Sequence, residues 1–105
     1  MIDIKDENWD EMISNSGDKL VIVDFWAPWC APCRGIAISL QETEDKMTER
    51  VRIMKMNIDE NPNVADSLGI RAIPTLLFYK SGNLVDKQVG MISTSHLLDK
   101  VIGLL

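Results

Sequence analysis

Two hydrophobic periods alternate along this chain. Leu20-Val21-Ile22-Val23 followed by Phe25-Trp26 is apolar on both faces, which predicts a central strand in a covered sheet. Asp24 is the one carboxylate that interrupts it. Val51 to Ile58 has the same character, with Lys55 as its one buried-looking cation. Thr75 to Tyr79 and Leu84 to Val89 flank Ser81-Gly82-Asn83, a hairpin signal. Met1 to Ile4 predicts a short edge strand with Ile2 and Ile4 on one side.

Helical spacing fills the intervals. Asp6 is the expected N-cap of a helix from about Glu7 to Ser14, with Trp9, Met12 and Ile13 as its apolar stripe. A longer helix should run from Cys30 to about Thr48, with Ile36, Leu40, Thr43 and Met47 facing the core. Pro32 falls in its first turn, where a missing N–H costs nothing. Asn61-Pro62 starts a short helix through Val64, Ala65 and Leu68, and Gly69 stops it. Ser93 caps a last helix whose Leu97, Leu98, Val101, Ile102 and Leu105 are expected in the core. Strands alternating with helices imply parallel pairing through right-handed crossovers, and the hairpin adds antiparallel strands. The expected architecture is α/β: one domain over residues 1–105, with a central mixed sheet and helices on both faces.

Composition narrows the class. The chain is 46% apolar and 26% charged, with a net charge of −5, and has no lysine-rich run. That argues against nucleic acid or an anionic membrane as partner. No apolar run approaches the ~20 residues of a membrane span. The first ten residues are acidic and lack the basic-then-apolar build of a signal peptide, so a cytoplasmic location is expected. In that compartment a C-x-x-C pair is more often catalytic than structural.

Both cysteines lie in Phe25-Trp26-Ala27-Pro28-Trp29-Cys30-Ala31-Pro32-Cys33, at a strand end and a helix start. At this spacing they can close a disulfide within one helical turn. The helix would aim free N–H groups and its positive dipole end at the Cys30 sulfur, favouring the nucleophilic thiolate. Cys30 is therefore expected to be exposed and to attack first, with Cys33, one turn deeper, resolving the mixed disulfide. An exposed helix terminus supplies only about 0.3–1 kcal/mol, whereas bringing an ordinary thiol to neutrality takes roughly 2 kcal/mol. Direct donors must add the rest.

Cys33 must lose a proton in the second step, and no histidine is near it in sequence. A buried Asp24 has the raised pKa that makes a carboxylate a usable base near neutrality. The alternative is a structural carboxylate, paired with Lys55. Trp9 is expected in the core, while Trp26 and Trp29 bracket the cysteines and can shape the site. Pro74, just before a strand, is a candidate cis proline. His96, the only histidine, is expected on the solvated face of the last helix. Two cysteines and one distant histidine do not make a zinc site, and no metal is expected.

Together these residues resemble the thioredoxin family over essentially the whole chain. The carriers are Val23-Asp24-Phe25-Trp26-Ala27, Trp29-Cys30-Ala31-Pro32-Cys33, Lys55 with Asn57-Ile58-Asp59 and Pro62, Gly69 through Thr75, and Gly82 and Gly90. The resemblance implies a thioredoxin fold and a general dithiol–disulfide reductase, an electron carrier of redox homeostasis. Cys30 matches the nucleophile, Cys33 the resolving thiol, and Asp24 the buried acid/base with Lys55 nearby. Pro74 matches the family's cis proline, whose preceding backbone at Ile73 hydrogen-bonds substrate. Trp29, Ala31, Pro32, Ala72, Ile73, Pro74 and Gly90 are the expected substrate-binding positions. The implied partners are disulfide-containing proteins and an NADPH-dependent flavoprotein thioredoxin reductase. The chain itself would be a monomer without a cofactor.

Three positions depart from the family pattern. Ala31 and Ala72 stand where glycine is usual, and Ile38 stands where many members carry a proline that bends the long helix. A bend at Ile38 would have to be held by packing. An oxidant or isomerase is the competing redox function. Such relatives place a histidine before the second cysteine, and Pro32 there argues for the reducing side. A binding module whose thiols are idle is the competing function of another class.

Overall fold

The strand Leu20–Trp26 (β2) is hydrogen-bonded along both edges, and six of its seven residues are buried. The computed structural model describes residues 1–105. Around β2 the chain runs β1 (Ile2–Asp3), α1 (Trp9–Ser14, entered through a 3-10 turn at Asp6–Asn8), β2, α2 (Ala31–Lys46), β3 (Val51–Asn57), α3 (Pro62–Ser67), β4 (Thr75–Lys80), β5 (Asn83–Val89) and α4 (Thr94–Leu104). The sheet order is β1-β3-β2-β4-β5. β1, β3 and β2 are parallel, while β4 and β5 are antiparallel additions. The expected mixed sheet is therefore present.

Strand alternation divides the core between two faces. Val21, Val23 and Phe25 point with Met54, Met56, Leu77 and Tyr79 toward α1 and α3, where Ile13 and Ala65 close the layer. Trp9 packs there too, its ring 6.0 Å from that of Phe25 and 5.8 Å from that of Tyr79. Leu20 and Ile22 point the other way, onto Ile36 and Leu40 of α2 and Leu97 and Val101 of α4. A two-residue turn joins β4 to β5, with Ser81 at φ 52° and Gly82 at φ 80°. Both are left-handed, as a tight hairpin between twisted strands requires.

Three local expectations are corrected. Asp6 does not cap the first helix. Its carboxylate accepts from the backbone N–H groups of Asn63 and Val64, at 3.0 and 2.9 Å, and so caps α3. Asn61, at the N-cap position of α3, instead accepts from the Asp6 N–H at 3.1 Å. Ile2 is exposed while Ile4 is buried, because the edge strand ends at Asp3. In α4 the core stripe is narrow. Leu97 and Val101 are buried and Leu105 packs beside them, but Leu98 is only half-buried and Ile102 is 59% exposed. The residue after Val101 is turned about a quarter of the way round the helix, off the seam. α2 runs through Ile38 without a break, and Ile38 is exposed.

Candidate active site

Asp24 shares the β2 face of Leu20 and Ile22, and the strand register sets it beside Lys55 of β3 and Leu76 of β4. It is fully buried, and neither carboxylate oxygen has a hydrogen-bond partner. Burial without compensation pushes its pKa up from 3.8 to about 7, the positive charge of Lys55 pulling weakly the other way. The suggested Asp24–Lys55 ion pair is absent. Lys55 is half-buried and holds its ammonium over the Trp26 ring, 4.4 Å from the centroid. Trp26 Nε1 is also buried without a partner.

Cys30 and Cys33 form a disulfide with Cα atoms 5.3 Å apart. Cys30 is the N-cap of α2, in extended backbone, and Pro32 lies in the first turn as expected. The Cys33 N–H donates to Cys30 Sγ at 3.2 Å, so the sulfur fills the role that an N-cap oxygen usually takes. The expected exposure of Cys30 is corrected: it is 4% exposed and Cys33 is 3%. The disulfide draws both sulfurs against Ala27, with Trp26, Ile58 and Ile73 packed around them. Exposure belongs instead to Trp29, Ala31 and Pro32. What separates the two sulfurs is the N–H aimed at Cys30.

The loop before β4 forms the facing wall. Ile73 touches the cysteine cluster, and the Ile73–Pro74 peptide bond is cis. Thr75 Oγ1 donates to the Ala72 carbonyl at 2.5 Å, and the Gly90 N–H donates to the Pro74 carbonyl at 2.8 Å. Gly90 has φ 82°, a conformation that costs other residues about 1–2 kcal/mol. Ala72 is exposed and Pro74 buried. The structure thus gathers Trp29, Ala31, Pro32, Ile73, Pro74 and Gly90 around the disulfide helix start and its facing loop.

Trp29 is 67% exposed, yet its Nε1 donates to both Asp59 carboxylate oxygens, at 3.2 and 3.1 Å. Asp59 entered the sequence reading only within the Asn57-Ile58-Asp59 match, and no local pattern marks it as the partner of Trp29. His96 is exposed in the first turn of α4, its N–H donating to Ser93 Oγ. No three His, Cys, Asp or Glu side chains converge as metal ligands. The largest concavity, about 560 Å³, lies between the Asp6–Trp9 segment and α3, and none of the concavities is lined by a cysteine.

The thioredoxin family model matches residues 1–102. The chain belongs to the thioredoxin family. A thioredoxin of Acidithiobacillus ferridurans is 45% identical over 94 residues, covering 90% of this chain and 86% of that protein. Thioredoxin 1 of Synechococcus elongatus is 48% identical over 83 residues, covering 76% of this chain and 78% of that protein. The chloroplastic M-type thioredoxin of Pisum sativum is 43% identical over 98 residues. These are 93% of this chain but 56% of the pea protein, so the chain spans about half the length of that relative. The five-stranded mixed sheet with four helices is the thioredoxin α/β fold. As a thioredoxin-family member with a Cys30–Cys33 disulfide, the chain is a dithiol–disulfide oxidoreductase. No helix is long and apolar enough to cross a membrane.

Proposed function

We propose that this chain is a single-domain, monomeric, cytoplasmic protein-disulfide reductase with Cys30 as nucleophile, Cys33 as resolving thiol and Asp24 as proton acceptor. The Cys30 thiolate attacks one sulfur of a substrate disulfide, forming a mixed disulfide and releasing the other sulfur as a thiolate. Cys33, having passed its proton to Asp24, then attacks Cys30 Sγ. The Cys30–Cys33 disulfide closes, and the second substrate thiolate leaves. Two electrons have moved to the substrate. An NADPH-dependent flavoprotein reductase would return them, so the chain itself needs no bound cofactor.

The observation that carries this reading is the Cys33 N–H on Cys30 Sγ at the start of α2. A hydrogen bond to a charged acceptor contributes about 1.5–3 kcal/mol. Added to the helix terminus, it covers the roughly 2 kcal/mol needed to hold a thiolate at neutral pH. Asp24, titrating at about 7, supports its assignment as the base for Cys33. Lys55 keeps a positive charge near that carboxylate and assists its ionisation. Trp29, Ala31, Pro32, Ala72, Ile73, Pro74 and Gly90 would receive the substrate chain.

Two measurements test the proposal. Equilibration with a glutathione buffer should give a Cys30/Cys33 potential well below that of the glutathione pool. A potential at or above it would favour an oxidant or isomerase. Cys33→Ser should trap mixed disulfides through Cys30 while Cys30→Ser should not, and equal trapping by Cys30→Ser through Cys33 would overturn the assignment of roles.

A further inference from the structure

The largest concavity of the molecule, about 560 Å³, opens between the Asp6–Trp9 segment and α3 and touches neither cysteine. That volume is usual for a ligand site. Its apolar part is Trp9, Val64 and Leu68. Trp9 is only half-buried despite its contacts with Phe25 and Tyr79, and Leu68, just past the end of α3, is 40% exposed. Its charged part is Asp6, Glu7 and Asp10, and no lysine, arginine or histidine lines it. The three carboxylates are not equally free. Asp6 is engaged by the Asn63 and Val64 N–H groups. Glu7 and Asp10 are exposed and belong to no ion pair. They stand three residues apart, on one side of the helical segment.

These features select an occupant. Unpaired negative charge beside exposed apolar side chains is complementary to a cation with an apolar body. A metal ion does not fit, because no three carboxylates converge as ligands. Arginine does: its stem can lie along Trp9 and Leu68 while its guanidinium offers paired N–H donors to Glu7 or Asp10. A concavity of this volume holds more than one side chain, so the arginine arrives with its neighbours in a protein segment. Asn63 also lines a smaller concavity that includes Ile58, which packs against the disulfide. The two concavities flank α3, and a partner seated in the larger one lies across that helix from the reacting sulfurs.

We propose that the groove between α1 and α3 is a docking site for a basic segment of a partner protein, seating an arginine on Trp9 and Leu68 against the carboxylates of Glu7 and Asp10. The contact uses neither thiol, so it goes beyond the reductase reading and is measured with the Cys30–Cys33 disulfide intact. The probe is a blocked, cysteine-free peptide of repeating Leu-Arg-Ala units, compared with its citrulline isostere, which keeps the shape and lacks the charge. The arginine peptide should bind at least about five-fold more tightly, the factor expected of two exposed ion pairs, and should shift the amide resonances of Asn63 to Leu68. Glu7→Gln with Asp10→Asn should remove that preference. Leu68→Ser should weaken binding about three-fold, as for loss of one small apolar contact. Glu42→Gln with Glu49→Gln removes the same charge from the α2 side of the sheet and should change nothing. Absence of binding, amide shifts confined to other surfaces, or equal weakening by the α2-side pair would overturn the proposal. Spermidine binding as tightly as the peptide would also overturn it, since the groove would then take a free organic cation.

Discussion

Asp24 and Lys55 are register partners on neighbouring parallel strands, yet the lysine turns its ammonium onto the Trp26 ring and leaves the carboxylate unpaired. A buried carboxyl without donors resists ionisation. Its pKa of about 7 in the fold, against 3.8 for an ordinary aspartate, is the consequence.

That difference predicts how stability depends on pH. Between about 3.8 and 7 the folded chain holds a proton on Asp24 that the unfolded chain releases. The contribution of this group is therefore fully present below about 3.8, falls as pH rises, and levels off above about 7. The total loss is about 4 kcal/mol at the conversion of 1.36 kcal/mol per pKa unit. Asp24→Asn should thus be the more stable protein at pH 8, by up to this amount, with the advantage closing as pH approaches 4. Urea titrations of both proteins across pH 4–8 measure it, and an advantage independent of pH would refute the argument. The same variant should slow attack of Cys33 on Cys30 Sγ of the mixed disulfide, and with it departure of the substrate thiolate, at neutral pH.

Trp29 is exposed but anchored by Asp59, which orders a large apolar surface beside the disulfide. Asp59→Ala should free the indole and raise KM for a protein disulfide by about two- to five-fold, with kcat changed by less than two-fold. Stability should change by less than about 0.5 kcal/mol, because the bond is solvent-exposed. Steady-state kinetics with tryptophan fluorescence as a reporter checks this. An unchanged KM would show that anchoring the ring is immaterial to docking.

The carboxylate of Asp6 ties the N-terminal segment to α3 across 57 residues of chain. Asp6→Ala leaves the Asn63 and Val64 N–H groups without their acceptor and should cost about 1 kcal/mol, as for loss of an N-cap. Asp6→Asn, which keeps one acceptor oxygen, should cost less. Hydrogen exchange at the two amides should quicken in the alanine variant, and unaltered exchange would contradict the capping role.

The elements were legible because their causes are local. The two-sided apolar run of β2, Pro32 in the first turn of α2, Gly69 at φ 71° after α3 and the Ser81-Gly82 turn each report a conformation set within a few residues. The site was partly legible for the same reason, since Cys30, Cys33 and Pro32 lie within one helical turn. Exposure was not. Cys30 was expected outside because it begins a helix, but its burial comes from Ala27, Ile58 and Ile73, which arrive from three separate stretches of chain. The extent of the α4 stripe failed similarly, since one turn of apolar residues does not say how wide a seam α2 and the sheet present.

By itself the sequence determined the order of strands and helices, the double-sided burial of β2 and the redox chemistry of its two cysteines. These follow from side-chain period, capping and spacing, which act between neighbours. Tertiary structure alone decided that Asp6 caps α3, that Lys55 stacks on Trp26 and that Asp59 holds Trp29. Each of these joins residues far apart in the chain. Their meeting depends on strand register and on how each crossover packs, which no local pattern encodes.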